Sequence, residues 1–327
     1  MIDEKILNVL RHDRDSYVSG EELCKLAGIS RAGIWKHVEK LRHEGYEIEA
    51  VPHLGYKLIS VPDALIPSEV KWKLKCRVFG REVLSYKKVD SKNDIAYELA
   101  EKGMKEGTVV LAEEQARGKG RHGRHWISPS KTGIYMSCIL RPDIAPAEIP
   151  VITLMAAAAV ATTIRDAVLP EVYIKWPNDI LAGGNKICGI LTEMKAEQDR
   201  VGFVVIGIGI NVNTTRRNLP KGATSITEEL CAGSRDANPR ISRVELVKKI
   251  LENLEALYNI LKKKGSAPII DMWKDLSDML GSRIKVVLHN KVFEGQAHDI
   301  DPDGSLVIRL SSGVLRKVSS GDVEMVR

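Results

Sequence analysis

Three short segments of this chain gather glycine, positive charge and an aromatic ring in a way that suits chemistry on phosphate. The first is Gly118-Lys119-Gly120-Arg121-His122-Gly123-Arg124-His125-Trp126. Its glycines let the backbone approach a ligand closely. Lys119, Arg121 and Arg124 place three cations in one loop, and Trp126 closes it with a flat face. Such a set fits a nucleotide, with phosphates for the cations and a base for the ring. Lys175-Trp176-Pro177-Asn178-Asp179 and Lys186-Ile187-Cys188-Gly189-Ile190 follow in order and add further cations.

Gly118-x-Gly120-x-x-Gly123 also matches the dinucleotide fingerprint letter for letter. That fingerprint must end a strand and open a helix. A strand over Thr108 to Ala112 is expected, but Trp126-Ile127-Ser128-Pro129-Ser130 follows the loop, and Pro129 breaks any helix there. A Walker A loop fails as well, because no Gly-Lys-Ser/Thr is present. The eight histidines show no metal-ligand spacing, so no metal site built from protein ligands alone is expected.

The elements that must position these segments come next. The 327 residues allow about two domains. The net charge of +6 is too mild to indicate a nucleic-acid partner by itself. Cysteines 24, 76, 138, 188 and 231 are widely spaced and odd in number, which points to reduced thiols and a cytoplasmic protein. The N-terminus is no signal peptide, and the apolar stretch Val151 to Ala161 is shorter than a bilayer span, so no membrane is expected.

Residues 1–63 read as a winged helix-turn-helix, with the helix-turn-helix itself at about 20–39. Ile6, Leu7, Val9 and Leu10 stripe a first helix. Ser19-Gly20-Glu21-Glu22 is a capping box for a second, with Leu23, Leu26 and Ala27 inward and Gly28 ending it. Ser30 caps a third helix, Arg31 to His43, and a two-stranded wing follows around Pro52-His53-Leu54-Gly55. The segment 1–63 nets −2, yet residues 30–43 alone net +3. A recognition helix needs its charge locally, and Ser30, Arg31, Lys36, His37 and Lys40 are the expected DNA contacts. Residues 64–279 alternate strands and helices with a Gly183-Gly184-Asn185 hairpin, which predicts a mixed sheet of the α+β class. Residues 280–327 read as short strands around Asp301-Pro302-Asp303-Gly304, a small β-barrel of SH3-like size.

Taken together, these segments make the chain similar to the bifunctional biotin–protein ligases that also repress the biotin operon. The resemblance spans nearly the whole length. It rests on Asp90-Ser91-Lys92-Asn93, Gln115 with the basic loop, Lys175 to Asp179, Lys186 to Glu193, Gly209-Ile210-Asn211-Val212-Asn213 and Ala223-Thr224-Ser225-Ile226. It implies a ligase core resembling class II aminoacyl-tRNA synthetases. It implies biotin and ATP as substrates with Mg²⁺ accompanying ATP, and a biotinyl-5′-AMP intermediate. Implied partners are the acceptor lysine of a biotin carboxyl carrier protein, operator DNA, and a second copy of the chain in a homodimer promoted by biotinyl-5′-AMP.

By position in the family motifs, Ser91, Lys92, Asn93 and Gln115 would meet the biotin ring system. Lys119, Gly120 and Arg121 would meet biotin and its activated carboxylate, and Lys186 the carboxyl and phosphate oxygens. Arg124, Trp126, Lys175, Asn211 and Ala223 would serve ATP. Lys186, Arg121, Lys119, Arg124 and Asp179 are the residues implied for catalysis, Asp179 within the motif that supports phosphate, Mg²⁺ or the incoming amine. A monofunctional ligase, a ligand-sensing regulator with an inactive core, and a lipoate ligase are the competing readings. The retained cations oppose the inactive core, and the basic loop with the N-terminal head favours biotin over lipoate.

The sequence departs from the family pattern at two positions. Lys92 stands where the family has threonine, and Lys119 where it has arginine. A lysine cannot accept a hydrogen bond as a hydroxyl does, and it lacks the planar fork of arginine. Lys119→Arg is therefore expected to lengthen the half-life of enzyme-bound biotinyl-AMP, measured by release of labelled adenylate. An unchanged half-life would remove Lys119 from adenylate retention.

Overall fold

The computed structural model describes residues 2–13, 15–197, 200–232, 239–288 and 291–326. The chain divides into two compact units, Met1–Ala64 and Leu65–Arg327.

The first unit holds α1 (Ile2–His12), α2 (Gly20–Ala27), α3 (Arg31–His43) and the antiparallel hairpin β1 (Glu47–Val51) and β2 (Gly55–Ser60). Both expected caps are present. Ser19 Oγ accepts the Glu22 N–H at 3.1 Å and Ser30 Oγ the Gly33 N–H at 3.2 Å. Gly28 takes φ +70°, the left-handed conformation that glycine adopts without strain. Ile6, Leu7, Leu10, Leu23, Ile34, Val38 and Leu41 join Tyr46, Ile48 and Leu58 in one core. Leu26, expected inward, is 49% exposed. With only two turns, α2 buries Leu23 and half-buries Cys24 and Ala27, leaving Leu26 on the open side.

The second unit is built on a seven-stranded mixed sheet. Its strands are β3 (Val83–Tyr86), β4 (Val109–Ala112), β5 (Gly133–Leu140), β6 (Val172–Lys175), β7 (Asp179–Ala182), β8 (Asn185–Glu197) and β9 (Arg200–Asn211). The order is β3-β4-β5-β9-β8-β7-β6, with β3 and β4 parallel and every other pair antiparallel. Its helices are α4 (Pro67–Lys71), α5 (Lys92–Glu101), α6 (Ile149–Ala167), α7 (Ile226–Ala232), α8 (Arg243–Lys264) and α9 (Ala267–Asp275). The short α4 and α7 carry too few turns to show periodicity and were not expected.

Helix α6 is long and apolar enough by composition to cross a membrane, more so than its central Val151–Ala161 stretch suggests. It lies in the protein core, with every residue from Leu154 to Ala161 fully buried. Its alanines let it pack closely beneath the sheet with α8 and α9. On the opposite face α5 covers only part of the sheet. Ala96 and Ala100 sit on Val110, Ile139, Phe203 and Val205. Strand alternation then dictates the rest. After Phe203 and Val205, the next β9 residues on this face are Gly207 and Gly209, which carry no side chain to fill the space, and then Asn211.

The chain ends in a five-stranded antiparallel sheet: β10 (Arg283–Leu288), β11 (Lys291–Ile300), β12 (Leu306–Leu310), β13 (Leu315–Val318) and β14 (Asp322–Met325). The order is β13-β12-β11-β10-β14. Ile284, Val286, Leu306 and Ile308 share one continuous core with the larger sheet. Trp176, fully buried, donates its Nε1–H to Gly304 O at 3.1 Å and so ties the two sheets together. The pair Arg243–Glu113, at 2.5 Å, fastens α8 to the end of β4 from within the core.

Candidate active site

The bare strip of the large sheet becomes the floor of a cavity of about 230 Å³. Gly189 and Leu191 of β8 pair with Gly209 and Gly207 of β9, and all four line it. The basic loop closes over this floor. It folds as a hairpin: Gly120 N–H donates to Arg124 O at 2.7 Å and Trp126 N–H to Gly118 O at 2.8 Å. His122 and Gly123 take positive φ at the tip. No helix follows the loop, so the dinucleotide fingerprint is excluded by structure as well as by Pro129.

The Trp126 indole rests on the floor. A Cβ at Gly209 would lie 2.7 Å from the ring, and one at Gly189 would lie 3.0 Å from it. The indole Nε1–H is buried without an acceptor among the described residues. Lys186 Nζ sits 5.6 Å from the ring centroid, within cation–π range.

Six cations line the cavity, Lys92, Lys119, Arg121, Arg124, Lys186 and Lys221, against two carboxylates, Asp179 and Asp322. Each expected catalytic cation has an anchor. Lys119 pairs with Asp94 of α5, and Arg124 with Asp322 of β14. Lys186 Nζ lies 2.6 Å from Asp179 Oδ1, an ion pair whose geometry is not that of a directed hydrogen bond. Arg121 reaches Asn178 Oδ1 at 3.2 Å and Gly321 O at 3.3 Å. Burial lowers the Arg121 pKa, partly offset by the carboxylates of Asp322 and Asp179. Lys186 N–H also donates to Gly222 O at 2.9 Å, and Thr224 N–H to Lys186 O at 2.9 Å. This ladder sets Ala223 against the Lys186 wall, while Asn211 Nδ2 donates to Thr224 O at 3.0 Å.

The residues expected to meet a ring system divide into two groups. Lys92 and Gln115 line the cavity, whereas Ser91 and Asn93 do not. Ser91 caps α5 and faces the outer groove beside Asp94. Asn93 is a buried brace. Its Oδ1 accepts from Ser137 Oγ at 2.7 Å and Lys92 Nζ at 3.1 Å, and its Nδ2 donates to Glu193 Oε2 at 2.6 Å. It presses on Gly207, where any Cβ would collide with it. Gln115 accepts the Lys92 N–H at 3.0 Å and donates to Ser128 Oγ at 2.8 Å. Lys175 ends β6 opposite Asp179 and does not line the cavity. Sequence reasoning missed Lys221 and Asp322. Lys221 lies two residues before Ala223 and has no carboxylate partner among the described residues. Asp322 is separated from Arg124 by 198 positions, so no local signal joins them.

In the first unit the expected DNA contacts also separate. Arg31 and Lys36 are exposed on α3, and Ser30 Oγ is engaged as the cap. His37 Nδ1 and Lys40 Nζ lie 2.6 Å and 2.7 Å from the Asp3 carboxylate of α1. They brace α3 against α1, which the net charge of α3 could not reveal. Trp35, 55% exposed, is open to solvent like Arg31 and Lys36.

Profiles of known families match all three parts of the chain. The Biotin/lipoate A/B protein ligase family matches residues 86–211, an HTH domain residues 3–57, and a biotin protein ligase C-terminal domain residues 279–326. The chain is 40% identical over 311 residues to the bifunctional ligase/repressor BirA of Bacillus subtilis strain 168, covering 95% of this chain and 94% of that one. The chain belongs to the bifunctional biotin–protein ligase/repressor family. It is also 29% identical to BirA of Escherichia coli K12 over 94% of this chain and 92% of that one. The biotin protein ligase of Aquifex aeolicus, solved with biotin and ATP, shares its fold: TM-score 0.62 at 24% identity, over 75% of this chain and all of that one.

Gly209→Ala tests the floor. The added methyl must lift the Trp126 indole, so tryptophan emission is expected to shift red with an unchanged far-ultraviolet spectrum. The shift should be absent when Gly209→Ala is made in a Trp126→Phe background. Emission indistinguishable from wild type would show that the indole does not rest there.

Proposed function

We propose that this protein is an ATP-dependent biotin–protein ligase and a biotin-responsive transcriptional repressor. The observation that carries the enzymatic reading is the convergence of Arg121 and Lys186 on one cavity, under a tryptophan and over a glycine floor. In the first step a biotin carboxylate oxygen attacks the α-phosphorus of ATP, and pyrophosphate leaves. Both reactants are anions, so fixed cations shielded from water lower the barrier most. Lys186 and Arg121 would hold the carboxylate and α-phosphate oxygens. Lys119 would join Arg121 on biotin, and Gly120 allows the close approach. Arg124, Trp126, Asn211 and Ala223 would hold the nucleotide, with Trp126 stacking on the base. Lys175 lies one strand end away and would reach the phosphates only from outside the cavity wall.

Asp179 would hold Lys186 at the wall until phosphate oxygens replace it. Mg²⁺ would enter with ATP. The cationic side chains lining the cavity would act on the phosphates directly. In the second step a neutral lysine amine of a biotin carboxyl carrier protein attacks the acyl carbon, the acyl–phosphate bond breaks and AMP leaves. The loop over the cavity would keep water from the mixed anhydride in between.

For the repressor, Arg31, Lys36 and Trp35, exposed on α3, would meet a major groove. The adenylate would serve as corepressor by promoting a homodimer that carries two such heads to two half-sites. We read the chain as three functional parts, 1–63, 64–279 and 280–327. We read the middle part as resembling class II aminoacyl-tRNA synthetases, the last as an SH3-like barrel, and the location as cytoplasmic.

The test is mass spectrometry of a biotin carboxyl carrier domain incubated with the protein, biotin and Mg-ATP. A gain of one biotinyl group per acceptor is expected, and no gain would refute the ligase. A gel shift on operator DNA should require biotin with ATP. Binding that ignores both would leave a ligase without biotin-responsive repression.

A further inference from the structure

Lys92 is a buried cation that the adenylation chemistry above does not use. It is 6% exposed and lines the cavity. Its ammonium carries three donors, and the hydrogen bond it makes among the described residues is to Asn93 Oδ1, at 3.1 Å. That acceptor is shared with Ser137 Oγ. Such a group, short of acceptors in a dry place, is costly unless a ligand completes it. Its position indicates which part of a ligand it meets. Asn93, to which it bonds, presses on Gly207, and Gly207 pairs with Leu191. Trp126 and Lys186 crowd the neighbouring pair, Gly209 and Gly189. Two residues along a strand span roughly 7 Å. If the reacting carboxylate lies beside Lys186, the Lys92 end receives the other end of the substrate.

Building on the biotin-ligase reading, we propose that Lys92 Nζ donates to the ureido oxygen of biotin as a charged donor and excludes ligands that carry a cation at that position. A threonine there, as in the resembling family, offers a neutral hydroxyl instead. A charged donor makes a stronger bond to the oxygen and makes recognition depend on proton occupancy.

The charged and titratable groups facing the ammonium come from three elements: Glu193 and Cys188 of β8, Cys138 of β5, and Asp94 of α5. Burial raises both thiol pKa values, that of Cys138 to about 12, so the thiols stay neutral through the working range. Burial also lowers Lys92, to about 8, against the opposing pull of Glu193 and the other neighbours. The bound oxygen favours the ammonium and raises that pKa. Biotin affinity is therefore full below pH 8 and falls as pH rises through that value.

Isothermal titration of biotin at pH 7 and pH 9.5, in buffers of different ionisation enthalpy, tests this. Binding at pH 7 tests the biotin site itself; without it the ligase reading fails first. Given binding, the wild type should weaken on the order of tenfold at pH 9.5 and take up roughly half a proton per biotin near pH 8. Lys92→Met, which keeps the volume, should bind more weakly at pH 7 with no proton uptake and no pH dependence. Lys92→Thr should regain affinity and stay flat with pH. The guanidinium analogue 2-iminobiotin should be rejected by wild type and gain relative to biotin in Lys92→Met. Biotinol, which lacks the carboxylate, should keep the pH dependence. A flat wild-type profile overturns the proposal. So does a dependence that disappears with biotinol, which would place Lys92 on the carboxylate.

Discussion

Crowding cations into one cavity is the constraint on which this structure depends. Two like charges about 6 Å apart cost about 3 kcal/mol at an effective dielectric near 20. The chain offsets this with carboxylates drawn from separate elements: Asp94 from α5, Asp179 from β7 and Asp322 from β14. All three pairs are partly exposed, and pairs of that kind contribute little net stability. Their weakness suits the chemistry, because an anionic substrate can take over the cations without breaking a strong internal bond. Arg121 differs. It rests on neutral oxygens of Asn178 and Gly321, so its full charge stays available to a ligand.

The cavity exists because the two faces of the sheet are treated differently. One face is sealed by α6, whose alanines permit close contact, together with α8 and α9. The other is covered by α5 only as far as Phe203 and Val205. Beyond that point glycines replace side chains, and the loop and its tryptophan supply a roof. The terminal sheet adds Asp322 and the Gly321 carbonyl to the wall, so both sheets contribute to the site.

Much of this was legible in residue order. The basic loop, the Lys186 segment and the caps of α2 and α3 announce themselves through local rules, and the Ser19 and Ser30 side-chain caps form. What stayed hidden was long-range pairing. His37 and Lys40 look like DNA contacts until Asp3 of another helix claims them. Asn93 sits in a ligand motif yet turns inward, because Ser137 and Glu193 satisfy its amide. Leu26 fits an apolar stripe on a helix too short to bury it. Lys92 was visible as a departure in the motif, but only its burial makes it a charged group awaiting an acceptor.

The central claim is that Arg121 and Lys186 act together on an acyl-phosphate forming between them. Single-turnover formation of biotinyl-AMP, followed by rapid quench with α-labelled ATP, measures that directly. Arg121→Met and Lys186→Met should each slow the step by about 10²–10³-fold, the scale of losing one preorganised charge at a developing anion. Each variant should keep its wild-type far-ultraviolet spectrum. A rate within about threefold of wild type for either variant, on a folded protein, would contradict the account.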